Sequence, residues 1–300
     1  MKHLGFKTLF LATALSFILF ACTETTTPTD NTKPKPNAPK NLVASSIDSS
    51  SIKLKWTASD STASTLFSGY TIEITPGSWQ PVNITGNQTT AVITGLTEGT
   101  VYTFNIFAKY SNGEESVGSA SVSWSPATRF DTTSSGSPIQ VYETDSDFPS
   151  GLDLYDPLSR TPKAWKTDNG KEWNLGLDTR TSGKVIVASP KMINYNYGTQ
   201  PGVTEISDNY FEANSLDDVF DSQALSAGNF AERSIDLEAL GNIPGVVFIL
   251  RTKEPGNTEY TYAKVLIKKT DGSWLQGPTG NRYIVCVVSY QKTPGVPYAF

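Results

Sequence analysis

The sequence predicts an all-β chain of two sandwich-type domains in series. Short runs of alternating apolar and polar residues recur along most of its 300 residues, and clusters of Gly, Asn, Ser and Pro separate them. Only "SLDDVFDSQAL" reads as a short helix, with Ser215 as its N-cap and acids in its first turn. The length suffices for two domains of ordinary size.

The chain opens with Lys2, His3 and Lys7, then an apolar core from Thr8 to Ala21. At 1.5 Å per residue that core reaches about 21 Å, short of a hydrocarbon layer of about 30 Å, which is the build of an export signal. The segment Leu19-Phe20-Ala21-Cys22 resembles the lipobox of bacterial lipoprotein signal peptides. That resemblance implies removal of residues 1–21 and a diacylglycerol on the Cys22 sulfur. Thr23 follows, where an Asp would favour the inner membrane, so the expected place is the outer membrane, on a face the sequence leaves open. An ordinary signal peptide with an incidental cysteine is the alternative. Residues 22–37 hold Thr, Pro and charge without an apolar run, a lipid-anchored tether that reaches roughly 40 Å.

From 38 to 128, "SSIKLKWTA" alternates Ile52, Leu54 and Trp56, and "SGYTIEITP" alternates Tyr70, Ile72 and Ile74. "TVYTFNIFAKY" places Tyr102, Phe104, Ile106 and Ala108 on one face. Pro39 and Leu42 at the first strand, Trp56 on the second, and Leu96 to Tyr102 as a tyrosine corner together resemble a fibronectin type III domain. The resemblance implies a spacer or protein-contact module. No Arg-Gly-Asp stands in "YSNGEES", so integrin-type adhesion has no support.

Residues 129–137 read as a linker. From 138 to 300 the strand signals return, and "GVVFILRT", "YTYAKVLIKK" and "RYIVCVVSY" are apolar on both faces, as in central strands. "EPGNTE" is turn chemistry that makes a hairpin of the first two. "EWNLGLDTRTSGKVIVASP", "FEANSLDDVFDS" and Arg251-Thr252 answered by Tyr262-Ala263-Lys264 resemble the haemophore-like HmuY-type outer-membrane lipoproteins. That family holds haem between paired His or paired Met, and here the sequence departs from it. The single histidine is His3 in the leader, and Met192 is the one methionine past it. Met192, with Tyr195 and Tyr197 in "SPKMINYNYGT", is the candidate ligand-binding set. No resident cofactor is expected, and any haem site has changed or gone.

The same absence of histidine removes Ser-His-Asp and Cys-His catalysis and the usual zinc sites. Within "YETDSDFPSGLDLYD", Asp145 and Asp147 are weak calcium candidates beside the plainer reading of a solvated loop, and a glycosidase pair comes last. Trp79, Trp165, Trp173 and Trp274 are candidate sugar platforms, Trp274 foremost because "DGSWLQGP" reads as a loop. Cys286 lies in an apolar strand and reads as a small buried hydrophobe. Without Lys2 and Lys7 the net charge falls from −5 to −7, which argues against nucleic acid. The function expected is non-enzymatic: a cell-envelope lipoprotein presenting a ligand-binding β-domain on a spacer, with nutrient or haem-related capture as its specific form. A carbohydrate- or protein-contacting adhesion module is the alternative. Cys22→Ser is expected to abolish incorporation of labelled palmitate in growing cells and leave the leader uncleaved on a denaturing gel; a variant still labelled would end the anchor reading.

Overall fold

The computed structural model describes residues 33–166, 173–193, 202–220 and 230–297. Cys22, Tyr195 and Tyr197 lie outside the described residues. The first seven strands are β1 (Lys40–Asp48), β2 (Ser51–Thr57), β3 (Phe67–Thr75), β4 (Val82–Thr85), β5 (Thr90–Ile93), β6 (Tyr102–Tyr110) and β7 (Ala120–Trp124). They form a three-stranded sheet, β1-β2-β5, facing a four-stranded sheet, β4-β3-β6-β7. Their alternating residues meet in one core: Ile52, Leu54 and Trp56 of β2 pack with Tyr70, Ile72 and Ile74 of β3 and Phe104 and Ile106 of β6. Trp56 sets its edge against Tyr70 at 5.3 Å and 72°. Between the sheets, the Tyr102 hydroxyl accepts the Thr97 backbone N–H at 3.1 Å and fixes the crossing.

Twelve further strands follow among the described residues: β8 (Thr128–Phe130), β9 (Ile139–Tyr142), β10 (Gly151–Asp156), β11 (Thr161–Trp165), β12 (Leu175–Asp178) and β13 (Ile186–Ala188), then β14 (Val203–Glu212), β15 (Phe230–Ala231), β16 (Ser234–Asp236), β17 (Gly245–Lys253), β18 (Thr261–Lys268) and β19 (Tyr283–Gln291). A five-stranded sheet, β11-β10-β12-β13-β16, faces a seven-stranded sheet, β15-β14-β17-β18-β19-β8, in which β9 also pairs with β19. As "EPGNTE" predicts, β17 and β18 form an antiparallel hairpin, in register from Gly245↔Lys268 to Thr252↔Thr261.

Two expectations need correction. The segment read as a linker starts as a strand, because β8 pairs antiparallel with β19 from Tyr290↔Thr128 to Val288↔Phe130. The Ser- and Gly-rich residues after it form a tight loop, with Thr133 N–H on Ser137 O at 2.8 Å and Gly136 at φ 79°. Strand β9 then rejoins β19 from Cys286↔Ile139 to Tyr283↔Tyr142. Of the predicted helix, the described residues 215–220 hold one 3-10 turn, Leu216–Asp218, capped by the Ser215 side chain. Val219 leaves helical geometry (φ −103°, ψ 110°), and its carbonyl goes to Lys264 Nζ at 3.4 Å rather than to a further turn.

The double-faced strands have a structural reason. Val246, Phe248 and Leu250 of β17 enter the core between the second pair of sheets. The alternate residue Ile249 packs with the first sandwich, and Val247 packs with Leu216 and Val219. The second face of β17 and β18 is thus the seam with the first sandwich. Polar groups close that seam. Lys264 Nζ donates to Ser45 Oγ of β1 at 3.0 Å and to Leu216 O at 2.9 Å. Gln291 completes it at the other end, where its Nε2 donates to Pro126 O at 2.9 Å. The Arg129 guanidinium meets Asp217 at 2.7 Å, and Thr128 N–H donates to Glu98 at 2.9 Å.

Burial pulls the Lys264 ammonium down to about 7, against the opposing pull of Asp217. The ordinary lysine value, 10.5, applies to the unfolded chain. Between those values the unfolded state binds the extra proton, so stability rises with pH across this window and the contribution is flat below it. In urea melts, the wild type is expected to gain up to about 1.4 kcal/mol per pH unit above pH 7 relative to Lys264→Met. Parallel pH profiles for the two proteins would contradict the assignment.

Candidate ligand-binding site

Strand β14 pairs regularly with β17 from Val203↔Lys253 to Ile206↔Leu250, and resumes only at Tyr210↔Phe248. Ser207, Asp208 and Asn209 therefore stand opposite the single residue Ile249. A bulge of this kind bends a strand and re-aims its side chains. The Ser207 Oγ accepts the Asn209 N–H at 3.1 Å and holds the bulge closed. Tyr210, the first residue after it, is 49% exposed, large for an aromatic in a paired strand.

Tyr210 borders two grooves. One, of about 370 Å³, is lined by Met192, Ser207, Asp208, Glu232, Arg233 and Tyr210 among others. Met192 follows Pro190 in a 3-10 turn and is half-exposed. Arg233 is anchored by its Nε on Ile206 O at 3.0 Å, and its guanidinium faces Asp208 at 3.9 Å. Lys191 pairs with Glu232 at 2.9 Å. The mouth thus combines a thioether, a phenol, an anchored cation and carboxylates. The other groove, of about 630 Å³, runs between the first sandwich and β14, with Lys55, Trp56, Phe211 and Phe220 among its walls. Both Lys53 and Lys55 lie 5.6 Å from the Phe220 ring.

The other predicted residues fall elsewhere. Trp274 is fully buried in the second core, so it offers no platform to a sugar. Asp271 (φ 52°) and Gly272 (φ 78°) make a two-residue reversal between Thr270 and Ser273 that turns the chain back over the core. Trp173 is buried too, beside Ile193. Trp79 packs edge-on to Tyr102 at 6.1 Å, and Trp165 carries Lys163 Nζ 3.8 Å above its ring. Asp145 and Asp147 are exposed, and among the described residues no three acidic, Cys or His side chains cluster for a metal. Their neighbour Glu143 is engaged: burial alone would raise its carboxyl, but Arg282 more than offsets this and holds it below the usual range. Cys286 is buried, and burial pushes its thiol up to about 12. Sequence reasoning missed Tyr210 and Arg233. The signal for Tyr210 was "SDN", three turn formers inside an otherwise strand-like run.

Comparison with known proteins matches residues 37–121 to the fibronectin type III domain. Chitinase Chi52 of Paenibacillus xylanexedens is 39% identical over 112 residues, 37% of this chain and 18% of its own length. Chitinase A1 of Niallia circulans is 35% identical over 116 residues, 39% of this chain and 15% of its own. The chain thus spans less than a fifth of the length of either curated relative. The solved fibronectin type-III domain of human fibronectin type III domain containing protein 3 is 19% identical, with 33% of this chain and 93% of that one covered, at a TM-score of 0.28. The first sandwich is a fibronectin type III domain.

Tyr210→Ala is expected to move the urea midpoint by no more than about 0.5 kcal/mol of stability, as for a surface position. Trp274→Ala should cost about 3–5 kcal/mol, as for an emptied core. Equal losses in the two melts would remove Tyr210 from the exposed site.

Proposed function

We propose that this protein is a non-enzymatic binding protein of the bacterial envelope, lipid-anchored at Cys22 in the outer membrane, whose ligand sits against Tyr210. The exposed phenol on the β14 bulge, between two grooves, is the observation that supports this reading. A half-buried ring with anchored polar groups at its rim suits a flat, partly apolar small molecule bearing a carboxylate, with Arg233 as the counter-charge. Within this reading the fibronectin type III domain serves as a fixed support instead of a swinging spacer, because its β1 supplies Ser45 to the buried Lys264.

Haemin is the first ligand to try, since it is flat and carries carboxylates, and the likeness of the second domain to HmuY-type lipoproteins points the same way. The described residues around the groove offer one thioether, Met192, and no imidazole. They fit a porphyrin held by stacking and charge with at most one sulfur on its metal, and the metal chemistry would be the ligand's own. Residues 23–300 titrated with haemin are expected to give a saturating Soret band that weakens at least tenfold in affinity in Tyr210→Ala. Met192→Ala should shift the band if the sulfur reaches the iron. A featureless titration would remove haem, and saturation unchanged in Tyr210→Ala would remove the site.

A further inference from the structure

We propose a second, separate binding site for a neutral polysaccharide on the aromatic stack Phe148–Tyr142–Tyr283. Tyr142 ends β9 directly opposite Tyr283 of β19, with ring centroids 5.2 Å apart. Phe148, from the loop after β9, stacks on Tyr142 at 4.6 Å and 28°. It remains 47% exposed. Three rings in succession thus lead from the sheet into solvent, on a different strand pair from Tyr210.

Polar cross-links add to that stack in holding the outermost ring there. The Glu143 carboxylate accepts the Arg282 backbone N–H at 2.8 Å and its guanidinium at 3.0 and 2.8 Å. Ser146 N–H donates to Glu143 O at 3.1 Å. The Ser146 Oγ accepts the Phe148 N–H at 3.0 Å and donates to Asn281 Oδ1 at 2.9 Å. The loop is therefore tied to the start of β19 at two points, which fixes the ring in advance of any contact. Ordering of this kind lowers the entropic cost of binding.

The chemistry around the ring selects the ligand. A pyranose presents a C–H face that packs on an aromatic plane and a girdle of hydroxyls that needs acceptors and donors at its edge. Asp145 and Asp147 are exposed on either side of Ser146, and the Arg282 head is 41% exposed beside them. Since Arg282 is matched by Glu143, the two aspartates leave the loop negative, which disfavours acidic glycans and nucleic acid. These aspartates act as hydroxyl acceptors in this reading.

The full-length chain, purified in detergent, would be run on native gels containing hydroxyethylcellulose, glycol chitin or no polysaccharide, with cellohexaose and chitohexaose titrated by calorimetry. At least one neutral glycan is expected to retard it. Phe148→Ala should weaken that binding tenfold or more, Phe148→Trp should keep or tighten it, and Tyr210→Ala should leave it unchanged. Because Phe148 is exposed, the alanine variant is expected to melt within a few degrees of the wild type, and the tryptophan variant tests the platform independently. No retardation by either neutral polymer, equal retardation of Phe148→Ala, or retardation by polygalacturonate alone would each overturn the proposal.

Discussion

The ammonium of Lys264 lies wholly buried on the face of β18 that the second core does not use. Taking such a charge out of water costs several kcal/mol even after relaxation, and only good hydrogen-bond geometry offsets it. Its three acceptors come from separate places: Ser45 on the first sandwich, and Leu216 and Val219 on the turn before the second groove wall. None of these can be supplied by the second domain's sheets alone. The lysine therefore makes the docking of the first sandwich and the closure of the 216–219 turn one event. Arg129, from the strand that joins the domains, reinforces it by pairing with Asp217 in the same turn.

The docking and the bulge meet at one residue. Ile249 is the residue of β17 that packs into the first sandwich's cluster, and it is opposite Ile249 that β14 gains its extra residues. Where the sheet's outer face is occupied by a neighbouring domain, β14 departs from the ladder and returns at Tyr210. The same contact that makes β17 apolar on both faces thus coincides with the place where a phenol is released toward solvent. Interface and candidate site belong to one stretch of two strands, and the fibronectin type III domain forms one wall of the larger groove.

Much of this was legible in the sequence, and the failures are physical. Alternation in "SSIKLKWTA" and "TVYTFNIFAKY" fixes which residues face the first core, because a one-residue slip would invert every side chain. The double-sided runs were legible as central strands, but not what covers the second face, since Val247 and Ile249 look the same whether a sheet or another domain lies over them. Residues 129–137 look like a linker by composition. The pairing of Arg129 and Phe130 depends on an open edge of β19 far along the chain, which no local pattern reports. The predicted helix kept its cap at Ser215, but its first turn closes as 3-10 and Val219 goes extended, its carbonyl taken by a lysine from a later strand. Trp274 was misplaced for a similar reason: the loop around it was recognised, but not the direction in which its reversal sends the chain.

That reversal marks the difference between a buried aromatic and a presented one. Ser146-Asp147 precedes Phe148 and Ser207-Asp208-Asn209 precedes Tyr210, and in both places the serine Oγ accepts the backbone N–H two residues on, that of Phe148 itself and that of Asn209. A local bond of this type competes with the sheet ladder. Trp274 follows "DGS" instead, where two successive residues of positive φ fold the chain back on itself and return the ring to the core. Composition alone cannot separate the two cases, as each is a short polar turn before an aromatic. The backbone can: neither serine-closed step contains a positive φ and each leaves its ring at the margin, whereas the left-handed pair Asp271 and Gly272 precedes a ring returned to the core. Both exposed rings thus stand beside a local bond that interrupts pairing, Phe148 in the loop after β9 and Tyr210 at the residue where β14 rejoins β17.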